Sequence, residues 1–313
     1  MLTNEKYALY GKAEALIKTG NYTEAITYFD QALHMDPNFK DALNAKQMLS
    51  AKKYALYDKG DALVKEGNYT QAIQYIDKAL SIDPNFKDAL NAIQMLSDKK
   101  GTLYTKGDTL LRNDNYTEAI KYFDKVLAVD PKYDDALDDK GLALNNMGKY
   151  KEAIIYLNRS LAINANDQFA LKMIGWALDG LGNYAEAIKY LNRALDLVHN
   201  DKDTLNSKGW ALNGLGNYTG AITYLNKALK IDPNYVHALS HKGWALNGLG
   251  NYTGAIEYSE KALAIDPKNV RTLYNKSIAL DKLGNHTGSI EYFDKAMKID
   301  PNLVSYLKHH DVL

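Results

Sequence analysis

The prolines set a ruler along this chain. Pro37, Pro84, Pro131, Pro233, Pro267 and Pro301 are spaced 47, 47, 102, 34 and 34 residues apart, and 102 is three times 34. Filling the long interval puts Ala165 and His199 where proline would fall, so eight units emerge, the last five on a strict 34-residue period. A repeat of that length is one supersecondary unit that buries its apolar face against its neighbours, and few folds accept it.

Other columns carry the same period. Fifteen residues before each proline slot stand Tyr22, Tyr69, Tyr116, Tyr150, Tyr184, Tyr218 and Tyr252, with His286 as the exception. Eleven before it, isoleucine is unbroken from Ile26 to Ile290; nine before it, tyrosine is unbroken from Tyr28 to Tyr292. Leucine fills every slot of two further columns, from Leu9 to Leu273 and from Leu16 to Leu280.

Each unit reads as two helices. Leu239, Gly243, Leu246 and Leu249 recur at three and four residues, as one buried helical face requires, and Ala255, Ile256, Ser259, Ala262 and Leu263 repeat the pattern. Between them, in Gly250-Asn251-Tyr252-Thr253, the glycine closes one helix in the left-handed region and the asparagine caps the next. Asp266-Pro267 ends the second helix, because proline cannot continue it. The mid-helix glycines Gly60, Gly107, Gly141, Gly175, Gly209 and Gly243 each cost roughly 1 kcal/mol against alanine, so a close contact must offset them. Tyr252 and its counterparts are the expected occupants.

These residues resemble the tetratricopeptide repeat family, whose 34-residue unit carries small residues at the helix crossing, a tyrosine opening the second helix and a terminal proline. The resemblance runs from residue 6 to 313; the family's bulky aromatic near the start of the first helix is leucine here in every unit. It implies an all-α fold, an α-α superhelix of about eight helix-turn-helix repeats. The expected organisation is one continuous array: residues 1–130 with three units at 47-residue spacing, 131–301 with five at 34, and 302–313 as a short closing helix. Thirteen residues are inserted between Pro37 and Gly60 and again between Pro84 and Gly107, and the segments 37–50 and 84–97 differ only at Lys46 against Ile93. As helix they add about 20 Å and rotate the apolar face. A long first helix touching two successive hairpins, or a break near Ser50 and Ser97, both satisfy the sequence.

The family resemblance implies that ligands lie as extended peptides on the inner face built by the first helices. Carried onto this sequence, that face holds Trp176, Trp210 and Trp244, with Asp179, Asn213 and Asn247 three residues on. Tryptophan offers apolar area with one donor, and asparagine pairs with both groups of a bound backbone. The blander role for each tryptophan is to lie over the glycine one turn later (Gly180, Gly214, Gly248) and pack on the adjoining repeat. In the N-terminal half the same face carries Tyr10, Tyr57 and Tyr104 beside Glu14, Asp61 and Asp108, a groove suited to basic segments or simply a solvated acidic face. The lysine, asparagine and arginine set with which chaperone-binding adaptors of the family hold a terminal carboxylate is replaced by tyrosine, aspartate and tryptophan, which argues against that ligand.

Other chemistry is thinly represented. Thirty-eight basic and thirty-eight acidic residues cancel, removing the field that nucleic acid binding needs, and zero cysteines exclude thiol chemistry and cysteine zinc sites. Gly214-Leu-Gly216-Asn-Tyr-Thr-Gly220 follows a helix, so it reads as helix punctuation and not a phosphate loop. Asn21, Asn68, Asn115, Asn217, Asn251 and Asn285 open Asn-x-Thr acceptors for glycosylation at positions where capping already demands asparagine. His237 and His241 lie one turn apart with no third metal ligand. The expectation is a non-catalytic scaffold without cofactor or metal, binding a protein or peptide and neither nucleic acid nor membrane. With no leader and no apolar run long enough to span a bilayer, the chain reads as cytoplasmic. The alternatives are self-assembly into a homo-oligomer through the closing helix, and service as the binding arm of a larger enzyme.

Overall fold

The turn chemistry sets the helix borders. In the computed structural model, which describes residues 2–302, Gly20, Gly67, Gly148, Gly182, Gly216, Gly250 and Gly284 adopt φ between +72° and +82°. The asparagine that follows them in most units uses its side-chain oxygen to cap the next helix: Asn217 accepts from the Gly220 N–H and Asn251 from the Gly254 N–H, each at 3.0 Å. At the far end the aspartate before each proline accepts the N–H two residues on, as in Asn234 to Asp232 at 3.1 Å.

Sixteen helices result among the described residues, arranged as eight hairpins, and no strand is present among them. They are α1 (Leu2–Thr19) with α2 (Tyr22–Met35), α3 (Lys40–Lys65) with α4 (Tyr69–Ile82), α5 (Lys87–Arg112) with α6 (Tyr116–Val129), and α7 (Asp134–Asn146) with α8 (Tyr150–Ile163). There follow α9 (Gln168–Gly180) with α10 (Tyr184–Leu197), α11 (Lys202–Gly214) with α12 (Tyr218–Ile231), α13 (Val236–Gly248) with α14 (Tyr252–Ile265), and α15 (Val270–Lys282) with α16 (His286–Ile299). The anticipated closing helix over Leu303 to Leu313 lies outside the described residues. The chain divides into two compact units, one ending at Ala136 and one beginning at Leu137.

In the first unit α3 and α5 are 26-residue helices that run unbroken through Ser50 and Ser97. The start of α3 buries Ala42 and Leu49 on the first hairpin, with Phe29, Ala32 and Phe39, while its later half packs Gly60 on Ile76 of α4. One long helix therefore serves two hairpins with two faces, and the inserted turns leave Met48 and Met95 exposed at 73% and 68%.

The occupants of the mid-helix glycines differ from expectation. A Cβ at Gly175 would stand 2.6 Å from Leu191, at Gly209 2.6 Å from Leu225, and at Gly107 2.7 Å from Phe123, each on the second helix of the same hairpin. The tyrosines opening the second helices fill a different set: Tyr150 lies on Gly180, Tyr184 on Gly214 and Tyr218 on Gly248, each one hairpin later. The glycines one turn after the tryptophans thus receive tyrosine rings. The hairpins from α7–α8 to α13–α14 close through the first glycine column, and α9, α11 and α13 take the preceding hairpin's tyrosine through the second.

In the second unit the first helices pack side by side, α9 on α11, α11 on α13 and α13 on α15. Leu205, Leu225, Ala228 and Ala238 lie in the buried seam between α11, α12 and α13.

A candidate binding pocket on the first helices

The Trp176, Trp210 and Trp244 column divides in depth. Trp176 and Trp210 line a cavity of about 640 Å³ within the second unit, whereas Trp244 is 5% exposed and stands behind, its ring 4.8 Å from that of Trp210. The cavity takes its walls from α9, α11, α13 and α15, with Tyr150 of α8 at one edge. A space of that size holds a small molecule or one large side chain with its flanking backbone.

The residues three positions after the tryptophans are buried. Asn213 donates its amide to the His241 carbonyl at 2.9 Å and Asn247 donates to the Asn275 carbonyl at 2.8 Å. Asn145 does the same to Met173 at 2.9 Å, so a hydrogen-bonded rung at an offset of 28 residues ties one first helix to the next. Asp179 occupies this column on α9. It is 3% exposed, no donor reaches either of its carboxyl oxygens, and it lines the cavity. Burial pushes its carboxyl well above the usual carboxylate range.

The remaining walls were not legible in the columns. Asp203 accepts a hydrogen bond from the Tyr235 hydroxyl at 2.8 Å, and burial with that bond pushes the phenol upward. Lys172 pairs with Asp201 at 3.4 Å, and the Arg271 guanidinium lies over Trp210, 4.1 Å from the ring centroid. His237 and His241 have ring centroids 6.5 Å apart, and Nδ1 of His241 is 2.9 Å from the Asn206 side-chain oxygen. Burial first, then Arg271 and His237, hold His241 well below the ordinary histidine range and therefore neutral. Arg271 has no counterpart in the other units, so no periodic signal could have found it.

In the first unit, Tyr10, Tyr57 and Tyr104 are partly covered by aromatic neighbours. Tyr10 lies 5.6 Å from Phe39, Tyr57 5.3 Å from Phe86, and Tyr104 5.3 Å from Tyr133, all edge to face. Tyr10 donates to Glu14 at 3.1 Å, and burial followed by Asp61 and Asp88 pushes the Tyr57 phenol upward.

A second periodic feature escaped the sequence reading. The lysine immediately before the first glycine column lies over the unbroken tyrosine column: Lys140 over Tyr156 at 3.7 Å, Lys208 over Tyr224 at 3.8 Å, Lys242 over Tyr258 at 3.9 Å and Lys276 over Tyr292 at 4.2 Å. Lys208 and Lys276 are buried, and the ring faces are what make their burial tolerable. In α9 the position holds Ile174, so no such pair forms beside Trp176. No helix among the described residues is long and apolar enough to cross a membrane.

Comparison with known proteins places this architecture. The Cut9–Hcn1 hetero-tetramer of the APC/C is similar over 97% of this chain and 76% of that chain, with 17% identity and a TM-score of 0.61. The type IV pilus biogenesis factor PilW matches over 65% of this chain and 94% of that one, with 20% identity and a TM-score of 0.57. The pilF protein of Pseudomonas aeruginosa matches over 69% and 98%, with 18% identity and a TM-score of 0.55. No curated protein matches the sequence. Family models described as tetratricopeptide repeat match residues 10–85, 104–168 and 172–236, and, with a second model, 246–308. The chain belongs to the tetratricopeptide repeat family, and its helical hairpins form a protein–protein interaction scaffold.

Proposed function

We propose that this chain is a non-catalytic scaffold that holds an extended segment of a partner polypeptide across α9, α11 and α13, with one partner side chain seated in the cavity between Trp176 and Trp210. The observation that carries the reading is the cavity itself: two tryptophans and Tyr235 give it apolar area, and Asp203 and Arg271 give it polar groups at fixed places. Large aromatic side chains around a water-excluding pocket dominate the energetics of such contacts. Trp244, Asn213 and Asn247 support the face from behind, since they are buried between first helices.

A peptide-display library panned on the full chain tests this. Enriched peptides should bind Trp176→Ala at least tenfold more weakly while its far-UV circular dichroism stays helical. No enrichment, or equal binding to the variant, overturns the proposal.

A further inference from the structure

The cavity wall carries two cations, Lys172 and Arg271, and two acids, Asp179 and Asp203. Lys172 pairs with Asp201 behind the wall, Asp203 accepts from the Tyr235 hydroxyl, and Arg271 lies over Trp210. His241 is held neutral. Asp179 is the acid of the wall without a partner: a carboxyl 3% exposed, with neither oxygen receiving a hydrogen bond. A buried carboxyl with no partner is unfavourable once ionised, and every other resolved residue of its column that lies on a rung is an amide, at Asn145, Asn213 and Asn247. The column holds a second aspartate, Asp281, which is exposed and paired with His286, so Asp179 is its one buried aspartate, and it opens on the cavity.

Trp176 precedes Asp179 by three residues, so the two share one face of α9. Trp176 is partly exposed, and among the described residues no cation lies over its ring. The neighbouring wall shows what this surface takes when a cation is at hand, because the Arg271 guanidinium already lies on Trp210. An aromatic face beside an unpartnered carboxyl is the arrangement that receives an alkyl ammonium or guanidinium with an aliphatic stem.

Resting on the reading that this face takes a partner chain, we infer that the cavity recognises a cationic side chain of that partner, a lysine or arginine, with its stem against Trp176 and its charge on Asp179. The other titratable groups of the cavity are Tyr150, Lys172, Asp203, Tyr235, His237, His241 and Arg271. None of them supplies the charge that Asp179 lacks, because burial alone acts on its carboxyl. Below the raised pKa of the free site Asp179 carries a proton, which the arriving cation displaces to solvent. The ligand brings +1, Asp179 becomes −1, and one proton leaves, so binding strengthens as pH rises and levels off above the pKa of the free site.

The chain has three tryptophans, of which Trp176 and Trp210 line the cavity and Trp244 stands behind Trp210, so their indole N–H signals make the test direct. The full chain is titrated with N-acetyl-lysine N-methylamide and with N-acetyl-norleucine N-methylamide, which keeps the four-carbon stem and lacks the ammonium, while the indole resonances are followed by ¹⁵N-edited NMR. The lysine probe should shift the Trp176 and Trp210 signals and bind about tenfold more tightly than norleucine, the size of one desolvated cation–π or charge-assisted contact. Asp179→Asn keeps the rung chemistry of Asn213 and Asn247 and removes only the ionisable group. It should leave the fold intact and bring lysine down to the norleucine level. Undiminished lysine binding by Asp179→Asn overturns the inference, as does the absence of lysine binding to the parent chain. Equal binding of lysine and norleucine removes the cation while leaving the polypeptide reading in place; that reading fails separately, if displayed peptides ignore Trp176→Ala.

Discussion

The ring of Tyr184 covers Gly214 so closely that a Cβ on the glycine would stand 2.5 Å from the phenol ring carbon. The contact joins the second helix of one hairpin to the first helix of the next, and a rigid ring cannot step aside as a flexible side chain would. Alanine is the better helix former by about 1 kcal/mol, yet overpacking at such a contact costs about 1–3 kcal/mol, so the clash wins. Gly214→Ala should lower the apparent midpoint of urea unfolding. Gly101, exposed within α5 with no atom within 4 Å of its would-be Cβ, is the control. There Gly101→Ala should stabilise by about 1 kcal/mol, since only the propensity difference remains. Midpoints that move together would mean the ring contact carries no energy.

That pair of glycines also shows what the sequence could and could not reveal. Proline, leucine and tyrosine columns located the hairpins because they obey a one-dimensional period, and Asn217 and Asn251 mark helix starts because capping acts within three residues. Which side chain fills which glycine is a question of pairing across helices. Tyr184 sits in a nearly invariant column and Leu225 in a mixed one of phenylalanine, isoleucine, leucine and serine, and spacing alone does not say that the first serves Gly214 and the second Gly209. Trp176 and Trp210 were readable as residues of the first-helix face. The depth that separates them from Trp244, and the contribution of Arg271 from α15, arise only when four first helices are laid side by side.

Asp114 is the one non-glycine residue among the described residues with positive φ, at 57°, in a turn position that seven other units give to glycine. An L-residue in the left-handed region is strained by roughly 1–2 kcal/mol, less for aspartate, which finds local hydrogen bonds there. Here the Tyr116 hydroxyl donates to Asp114 at 2.6 Å. Glycine relieves the strain and gives back part of that gain as unfolded-chain entropy, leaving Asp114→Gly more stable by about 0.5 kcal/mol. The reverse change, Gly216→Asp, should destabilise by about 1 kcal/mol, since Tyr218, the counterpart of Tyr116, is already seated on Gly248. Thermal unfolding followed at 222 nm reads both, and a loss of stability in Asp114→Gly would show that the Tyr116 bond outweighs the backbone strain.

Asp179 makes the second unit sensitive to pH in a direction opposite to that of paired carboxylates. For Asp83, whose bond from Lys53 holds its carboxyl below the ordinary range, stability is present above the unfolded pKa and is lost as pH falls. For Asp179 burial raises the folded pKa, so the folded chain binds the proton that the unfolded chain has released. Between the unfolded value near ~3.9 and the raised folded value, stability falls as pH rises, by at most about 1.4 kcal/mol per unit. Neither carboxyl oxygen of Asp179 has a hydrogen-bond partner, so nothing offsets the cost of burying its charge. Asp179→Asn should be more stable than the parent at neutral pH and match it more closely at pH 4. Subtracting the two thermal-midpoint curves between pH 4 and 8 removes the contribution of Asp83 and every other shared group. A flat difference would show that Asp179 carries its charge in the folded chain as readily as in the unfolded one.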